Sequence, residues 1–249
     1  FRNRCKLEWK FWVIEEAIKK SKNAGCDAVK LQAFSEKEIA DHPDKEKLLT
    51  CSVNSDNVEQ VNKIALDSGI EWFCTPMYDE AVDFLDSYVK RYKIRHADGI
   101  SLLEDKESNL IKKVLDTGKQ VIISSEITPK NSKFFSNKQI SWLYCVPKYP
   151  SSFKEIDFKN IRDFDGYSNH SPSFMAPLTA AILGAEIIEV HITSDKTKNF
   201  FDNNVSFDYN DFVGLEKLIY EDKNIGCIKM EVVRNIQPKK NFLQKIRKL

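Results

Sequence analysis

Short β-rich runs alternate with longer helical segments along most of this chain, and this alternation constrains its fold more than any other feature. The strand candidates are residues 26–32, 70–75, 92–96, 120–125, 140–146, 165–168 and 187–193. Segments with helical periodicity lie between or beside them, among them residues 12–23, 79–89, 103–117, 173–184 and 211–220. Strands separated by helices are typical of parallel sheets with right-handed crossovers. The pattern therefore predicts an α/β protein.

Two parallel architectures fit this order: a doubly wound sheet, and a (β/α)8 TIM barrel whose first strand is divergent or missing. Polar or titratable residues end strand after strand, namely Lys30, Gln32, Thr75, Lys93, His96, Ser124, Tyr149, Ser168, His170 and His191. A barrel brings all the carboxyl ends of its strands to one face, whereas a doubly wound sheet concentrates such residues at one switch point. The sequence also lacks the glycine-rich fingerprints of nucleotide-binding sheets. We therefore predict the barrel.

Charge and composition exclude several classes of protein. The 249 residues include 38 basic and 37 acidic side chains, and this near balance argues against a nucleic-acid partner. No apolar run approaches the roughly 18 residues of a membrane span, so no membrane partner is expected. The 6 cysteines show neither a CxxC pair nor zinc-ligand spacing, which predicts a reducing, cytoplasmic location.

The domain organisation follows from the same survey. No linker divides residues 1–228, which we predict to form one barrel domain. Residues 229–249 carry 7 lysines and arginines against 1 acid. This segment is predicted to be a basic C-terminal tail or the start of a linker.

Two histidines predict a divalent metal site. Strand alternation in residues 187–193 places Glu189 and His191 on one face and purely apolar residues on the other. His170 ends the preceding strand, and neighbouring strands lie about 4.8 Å apart, so the two imidazoles can converge on one ion. Each histidine taken alone is equally explained as a hydrogen-bonded structural residue.

Two lysines predict an anion site. Lys30 and Lys93 lie within apolar strands rather than on amphipathic helices. Hydroxyl donors suited to phosphate or carboxylate oxygens follow on other strands, namely Thr75, Ser124 and Ser168. Together they predict a site for a phosphorylated or dianionic substrate. The alternative for each lysine is an edge position with its ammonium in water.

Ordered sequence blocks resemble those of the sialic acid synthase family, which comprises the N-acetylneuraminate, legionaminate and pseudaminate synthases. The blocks are AGCDAVKLQAF (24–34), FCTPMYDEAVDFL (73–85), YKIRHADGI (92–100), LYCVPKYPSSF (143–153), GYSNHSPSFMAPLTAAILGA (166–185) and EVHIT (189–193). The resemblance spans residues 14–212, and GYSNH followed by EVHIT is its most specific part.

The resemblance implies a (β/α)8 barrel enzyme that condenses phosphoenolpyruvate with an N-acetylated amino sugar, N-acetylmannosamine or similar, and releases phosphate. It implies a divalent metal, manganese with magnesium as the alternative, on His170 and His191. The phosphoenolpyruvate-binding positions are Lys30, Thr75, Lys93, Ser124 and Ser168, and the sugar-binding positions are Tyr149 and Asp202. Asp98 and Lys93 are the implied catalytic residues. The family also carries a C-terminal antifreeze-like domain beyond the barrel, and it leaves a homodimer open for this chain.

Two other functions stay open from the sequence. One is a related synthase of a 3-deoxy sugar acid. The other is a catalytically impaired barrel that acts as a binding or scaffold protein. Departures from the family pattern favour the second: His96 replaces a serine, Pro147 a small polar residue and Glu126 a common glycine.

The opening residues raise a further expectation. They lack the family's first strand, so we expect residues 1–7 to supply a poor substitute or the gap to stay open. Activity should then be weak or absent, whereas phosphoenolpyruvate and metal should still bind.

Overall fold

A computed structural model describes the backbone of residues 2–221 and the side chains of residues 11–219. Its helices are α1 (Arg2–Asn23), α2 (Lys45–Cys51), α3 (Val58–Asp67), α4 (Glu80–Leu85), α5 (His96–Leu103), α6 (Asn109–Asp116), α7 (Met175–Ile182) and α8 (Tyr209–Glu221). Its strands are β1 (Ala28–Ala33), β2 (Glu71–Pro76), β3 (Arg91–Ile94), β4 (Gln120–Ser125), β5 (Ile140–Cys145), β6 (Gly166–Ser168), β7 (Ile187–Glu189), β8 (Ile192–Thr193) and β9 (Phe207–Asp208). Parallel strands alternating with helices confirm the α/β prediction.

The described chain divides into two compact units. The first comprises residues 2–23, 28–123 and 137–140, and it contains α1 to α6 with β1 to β3 and most of β4. Its strands pair in parallel and in chain order, with Lys30 opposite Phe73, Cys74 opposite Tyr92, and Lys93 opposite Ile122.

One face of this first sheet packs against helices. Trp72 is buried and its indole nitrogen donates to Asn62 of α3 at 3.0 Å. Tyr92 is likewise buried, and its hydroxyl donates to Asp86 at 3.1 Å, just beyond α4. Because side chains alternate along a strand, Lys30, Thr75 and Lys93 occupy the opposite face.

The second unit comprises residues 24–27, 124–136 and 141–221 of the described chain. Strands β5 to β7 pair in parallel, with Ser168 opposite both Cys145 and Glu189, and β8 pairs with β9. Gly166 is required where these strands meet, because a Cβ there would lie 2.2 Å from the carbonyl oxygen of Ile187 and 2.7 Å from Leu143 Cδ2. Leu143 and Ile187 on the adjacent strands can therefore pack here only if residue 166 has no side chain.

The seven predicted strands all occur, with ends that differ by a few residues. The run 187–193 is wrong as one strand, because it forms β7 and β8 with His191 between them. The strand predicted at 92–96 ends at Ile94, and His96 begins α5 instead.

Three other expectations need correction or completion. The helix predicted at 103–117 begins only at Asn109. Helices α2 and α3 lie where no helix was predicted. Residues 2–7 belong to α1, so the substitute strand predicted for residues 1–7 is wrong.

The predicted boundary at residue 228 and the basic segment 229–249 lie outside the described residues. Within the described part of the chain, no helix is both long and apolar enough to cross a membrane.

Candidate active site

His170 is held in a defined orientation two residues after β6. Its Nδ1 lies 2.7 Å from the carbonyl oxygen of Val146, and its Nε2 lies 2.6 Å from the hydroxyl of Tyr149. A carbonyl can only accept, so Nδ1 carries the proton and Nε2 presents a lone pair. The backbone of Ser151 also donates to the His170 carbonyl at 2.8 Å, which ties the two loops together. The imidazole is thus held in one orientation, with Nε2 facing the Tyr149 hydroxyl.

His191 lies beside it in the break between β7 and β8. The backbone nitrogen of Phe207 in β9 donates to the His191 carbonyl at 2.8 Å, which fixes the break. The two imidazole centroids are 5.8 Å apart, and the Asp202 carboxylate lies 3.5 Å from Nδ1 of His191. The predicted juxtaposition of the two histidines is therefore present in the second unit.

Tyr149 lies against both imidazoles. Its ring centroid is 3.9 Å from that of His170 and 5.8 Å, edge-on, from that of His191. Burial, followed by the charges of Asp202 and Glu189, raises the pKa of the Tyr149 hydroxyl well above its usual value. The phenol therefore stays protonated at neutral pH and remains a hydrogen-bond donor.

Ser168 and Glu189 form a pair on the adjacent strand ends. Ser168 is buried and its hydroxyl donates to Glu189 Oε1 at 2.8 Å, as the parallel register predicts for opposed residues. The hydrogen bond compensates part of the cost of holding a carboxylate at this depth. Ser168 is thus engaged with Glu189 as the chain stands.

The donor set of the second unit suits a divalent cation. His170 Nε2 is a lone-pair donor whose ring is oriented by the Val146 carbonyl, the arrangement typical of metal-binding histidines. Asp202 adds carboxylate oxygens beside His191. The described residues include no ready-made group of three or more metal-ligating side chains. A metal on His170 and His191 therefore stays a prediction.

The first unit presents a buried cation and a buried hydroxyl on one sheet face. Lys93 is only 3% exposed and its ammonium donates to the Ile94 carbonyl at 2.9 Å. Thr75 follows Cys74, the register partner of Tyr92, so it lies level with Lys93 on β2. Its hydroxyl is buried with no hydrogen-bond partner among the described residues. A buried hydroxyl without a partner is costly, which indicates that a ligand or water engages it.

Of the remaining predicted residues, Lys30 and Ser124 lie on strands and Asp98 lies on a helix. Lys30 is half-buried in β1, and Ser124 is buried near the carboxyl end of β4. Asp98 lies in the first turn of α5, where Arg95 Nε donates to its Oδ2 at 2.6 Å. The sequence pattern did not predict a role for Arg95, because its contact with Asp98 depends on the helix α5, which was not predicted.

Parallel strands that alternate with helices and have polar residues at their carboxyl ends are typical of enzymes of the α/β-barrel class. The NeuB family model matches residues 17–226, most of the chain, and the chain belongs to this family.

Curated relatives share about a quarter of its residues. Pseudaminic acid synthase of Campylobacter jejuni is 24% identical, with 93% of this chain and 75% of that protein covered. N,N'-diacetyllegionaminic acid synthase of Legionella pneumophila is 24% identical, with 85% and 68% covered. The chain spans between 62% and 75% of the lengths of three such relatives.

Solved structures support the fold. The N-acetylneuraminic acid synthetase of Leptospira borgpetersenii, in complex with citrate, superposes with a TM-score of 0.72 at 24% identity, with 96% of this chain and 86% of that one covered. A truncated 3-deoxy-D-arabino-heptulosonate 7-phosphate synthase of Thermotoga maritima gives 0.62 at 14% identity, with 88% and 84% covered. The chain therefore has the (β/α) barrel type of fold.

Proposed function

We propose that this chain condenses phosphoenolpyruvate with an N-acetylated amino sugar, forming a nonulosonic acid and releasing phosphate. Family membership and relatives that make pseudaminic and legionaminic acids support this reaction class. The observation that carries the proposal is the buried Lys93 ammonium level with the unpartnered Thr75 hydroxyl at the carboxyl ends of β3 and β2. A small anion such as phosphoenolpyruvate would supply an acceptor for the Thr75 hydroxyl and a negative charge beside the Lys93 ammonium.

In this proposal, Lys30, Thr75 and Lys93 of the first unit bind the anionic groups of phosphoenolpyruvate. Lys93 and Lys30 stabilise the phosphate and carboxylate charges, and the Thr75 hydroxyl donates to one oxygen. Such preorganised donors stabilise the negative charge that develops on the departing phosphate. Ser124 and Ser168 belong to the second unit, and they are proposed as phosphoenolpyruvate-binding positions from the family resemblance alone. Ser168 would have to exchange its bond to Glu189 for one to the ligand.

In this proposal, residues of the second unit bind the metal, and two others contact the sugar. His170 and His191 would hold a divalent ion, manganese with magnesium as the alternative. When bound, such an ion supplies Lewis-acid polarisation of an aldehyde. Tyr149 donates to a sugar oxygen, because its phenol stays protonated, and Asp202 accepts from a sugar hydroxyl. Asp98 belongs to the first unit, and the family resemblance supports its role in orienting the sugar or moving a proton in the addition step.

The chemistry balances without an external oxidant or reductant. The enol carbon of phosphoenolpyruvate attacks the open-chain aldehyde of the sugar, and the former carbonyl oxygen takes a proton. Water then adds to the cationic carbon that bore the phosphate ester. Cleavage of the C–O bond releases inorganic phosphate and leaves the keto acid.

Two finer statements belong to the same proposal. A cytoplasmic location is supported by Cys26 and Cys74, which are buried and form no disulfide. A homodimer is proposed by analogy with the family.

The decisive experiment is a phosphate-release assay with phosphoenolpyruvate, manganese and a panel of N-acetylated amino sugars. Release that depends on one sugar supports the synthase. Calorimetric binding of phosphoenolpyruvate without release from any sugar would favour the binding or scaffold protein instead. Release with a simple aldose phosphate, and with no N-acetylated sugar, would favour a 3-deoxy sugar acid synthase.

A further inference from the structure

Arg95 lies in the turn that joins β3 to α5. Its backbone is extended, with φ −69° and ψ 163°, and it caps the helix that begins at His96. Its side chain returns over the first turn, where Nε donates to Asp98 Oδ2 at 2.6 Å. Asp98 is the third residue of α5, so the pair spans the whole first turn.

This ion pair is less exposed than the pair on α6. The side chains of Arg95 and Asp98 are 50% and 18% exposed, whereas those of Lys112 and Asp116 are 66% and 65% exposed. A shielded carboxylate keeps a defined geometry with a planar guanidinium, while an exposed pair is loosened by water. The turn also follows the buried Lys93 by two residues, at the carboxyl end of β3, where parallel α/β proteins bind ligands.

We propose that Arg95 is a positioning residue that fixes the Asp98 carboxylate in one rotamer for contact with the sugar. The role rests on the proposed function. Arg95 engages Oδ2, which leaves Oδ1 as the acceptor for a sugar hydroxyl or amide. Without the guanidinium, the carboxylate can turn toward the backbone N–H groups of the first helical turn instead. Arg95 then acts on the reaction only through Asp98.

Two measurements on the full chain test this role. The first is the χ1 angle of Asp98, from scalar couplings in aspartate-labelled protein. The wild type should show one rotamer, Arg95→Met an average over several, and Arg95→Lys a partial recovery. The matched control is Lys112→Met, which breaks an exposed ion pair in the same unit and should leave Asp98 unchanged. An unaltered Asp98 rotamer in Arg95→Met would overturn the proposal whether or not the chain turns over.

The second measurement is a double-mutant cycle in kcat/KM for the sugar. Arg95→Met should lower kcat/KM by about ten- to a hundredfold, with a change in melting temperature of about 2 °C or less. In the Asp98→Asn background the same change should have almost no effect. An equal loss in both backgrounds would show that Arg95 contacts substrate directly and would overturn the positioning role. Absence of turnover in the wild type would instead count against the proposed function, while the rotamer measurement still decides the role of Arg95.

Discussion

A single hydrogen bond decides what His170 can do. Nδ1 of His170 donates a hydrogen bond to the Val146 carbonyl, so in the neutral ring the lone pair is on Nε2, 2.6 Å from the Tyr149 hydroxyl. A bound ion would compete with Tyr149 for this lone pair. The phenol would then be released as a donor to the sugar.

Replacement of either histidine tests the metal site. His170→Ala or His191→Ala should weaken manganese binding by about tenfold or more, because each removes one of two imidazole donors. Manganese affinity, measured by calorimetry or by the electron paramagnetic resonance of the free ion, checks this. His42→Ala is the control, since His42 is exposed and lies in the first unit. Wild-type affinity in both single variants would contradict the site.

Lys93 tests the anion site. Lys93→Met keeps the side-chain length but removes the charge, so phosphoenolpyruvate affinity should fall by about ten- to a hundredfold, the value of one charge-assisted hydrogen bond. Lys30→Met should act in the same direction. Lys90→Met is the matched control, because Lys90 is exposed and immediately precedes β3. Normal binding by both Lys93→Met and Lys30→Met would mean that the lysines are structural and the anion binds elsewhere.

At the scale of elements, the break between β7 and β8 is what creates the imidazole pair. The Asn169 backbone donates to the Glu189 carbonyl, and the Phe207 backbone donates to the His191 carbonyl, both at 2.8 Å. The chain therefore changes partner between residues 189 and 191, from β6 to β9. Strand alternation predicted that His191 would follow Glu189. It could not predict the break, because the partner strand β9 is 2 residues long and carries no sequence signal of its own.

The missed helices have a similar cause. Helix α5 begins at His96, directly after the apolar run of β3, and the sequence pattern assigned His96 to that strand. The strand candidates were found because each is a run of buried apolar residues, such as the fully or nearly buried Trp142, Leu143 and Tyr144 of β5. Local composition thus predicted the sheet and the site residues on it. Contacts such as Arg95 to Asp98 depend on where a helix begins.

Gly166 in β6 and Gly214 in α8 should respond in opposite ways to replacement by alanine. Gly166→Ala should destabilise the fold by about 3 kcal/mol, because the new methyl would meet the Ile187 carbonyl at 2.2 Å and backbone cannot easily move. Gly214→Ala in α8 has no atom within 4 Å of the new Cβ and should stabilise the fold by about 0.5–1 kcal/mol. Urea denaturation of both variants measures the two effects. Equal effects of the two substitutions would contradict this account of β6.

At the scale of the whole molecule, β1 is an edge strand of the sheet in the described part of the chain. Strand β1 pairs with β2 along its length, and no other strand in residues 2–221 pairs with it. An edge strand carries backbone donors and acceptors that must find water or another chain. Helix α1 packs against β1 and α3, so it occupies the position of a crossover helix. A strand placed before α1 would form a right-handed β–α–β unit with β1 and pair with this edge.

That arrangement predicts what an added strand would do. A chain extended upstream by a family-like first strand should protect the β1 amides from hydrogen exchange and should release phosphate faster than the chain without that strand. Phosphoenolpyruvate affinity should change little, because Lys93 and Thr75 lie on β3 and β2. An extension of equal length with prolines at alternate positions is the control, since it cannot pair with β1. Phosphate release by the unextended chain at about 1 s⁻¹ or faster, a rate ordinary for enzymes, would show that the residues already described suffice for catalysis.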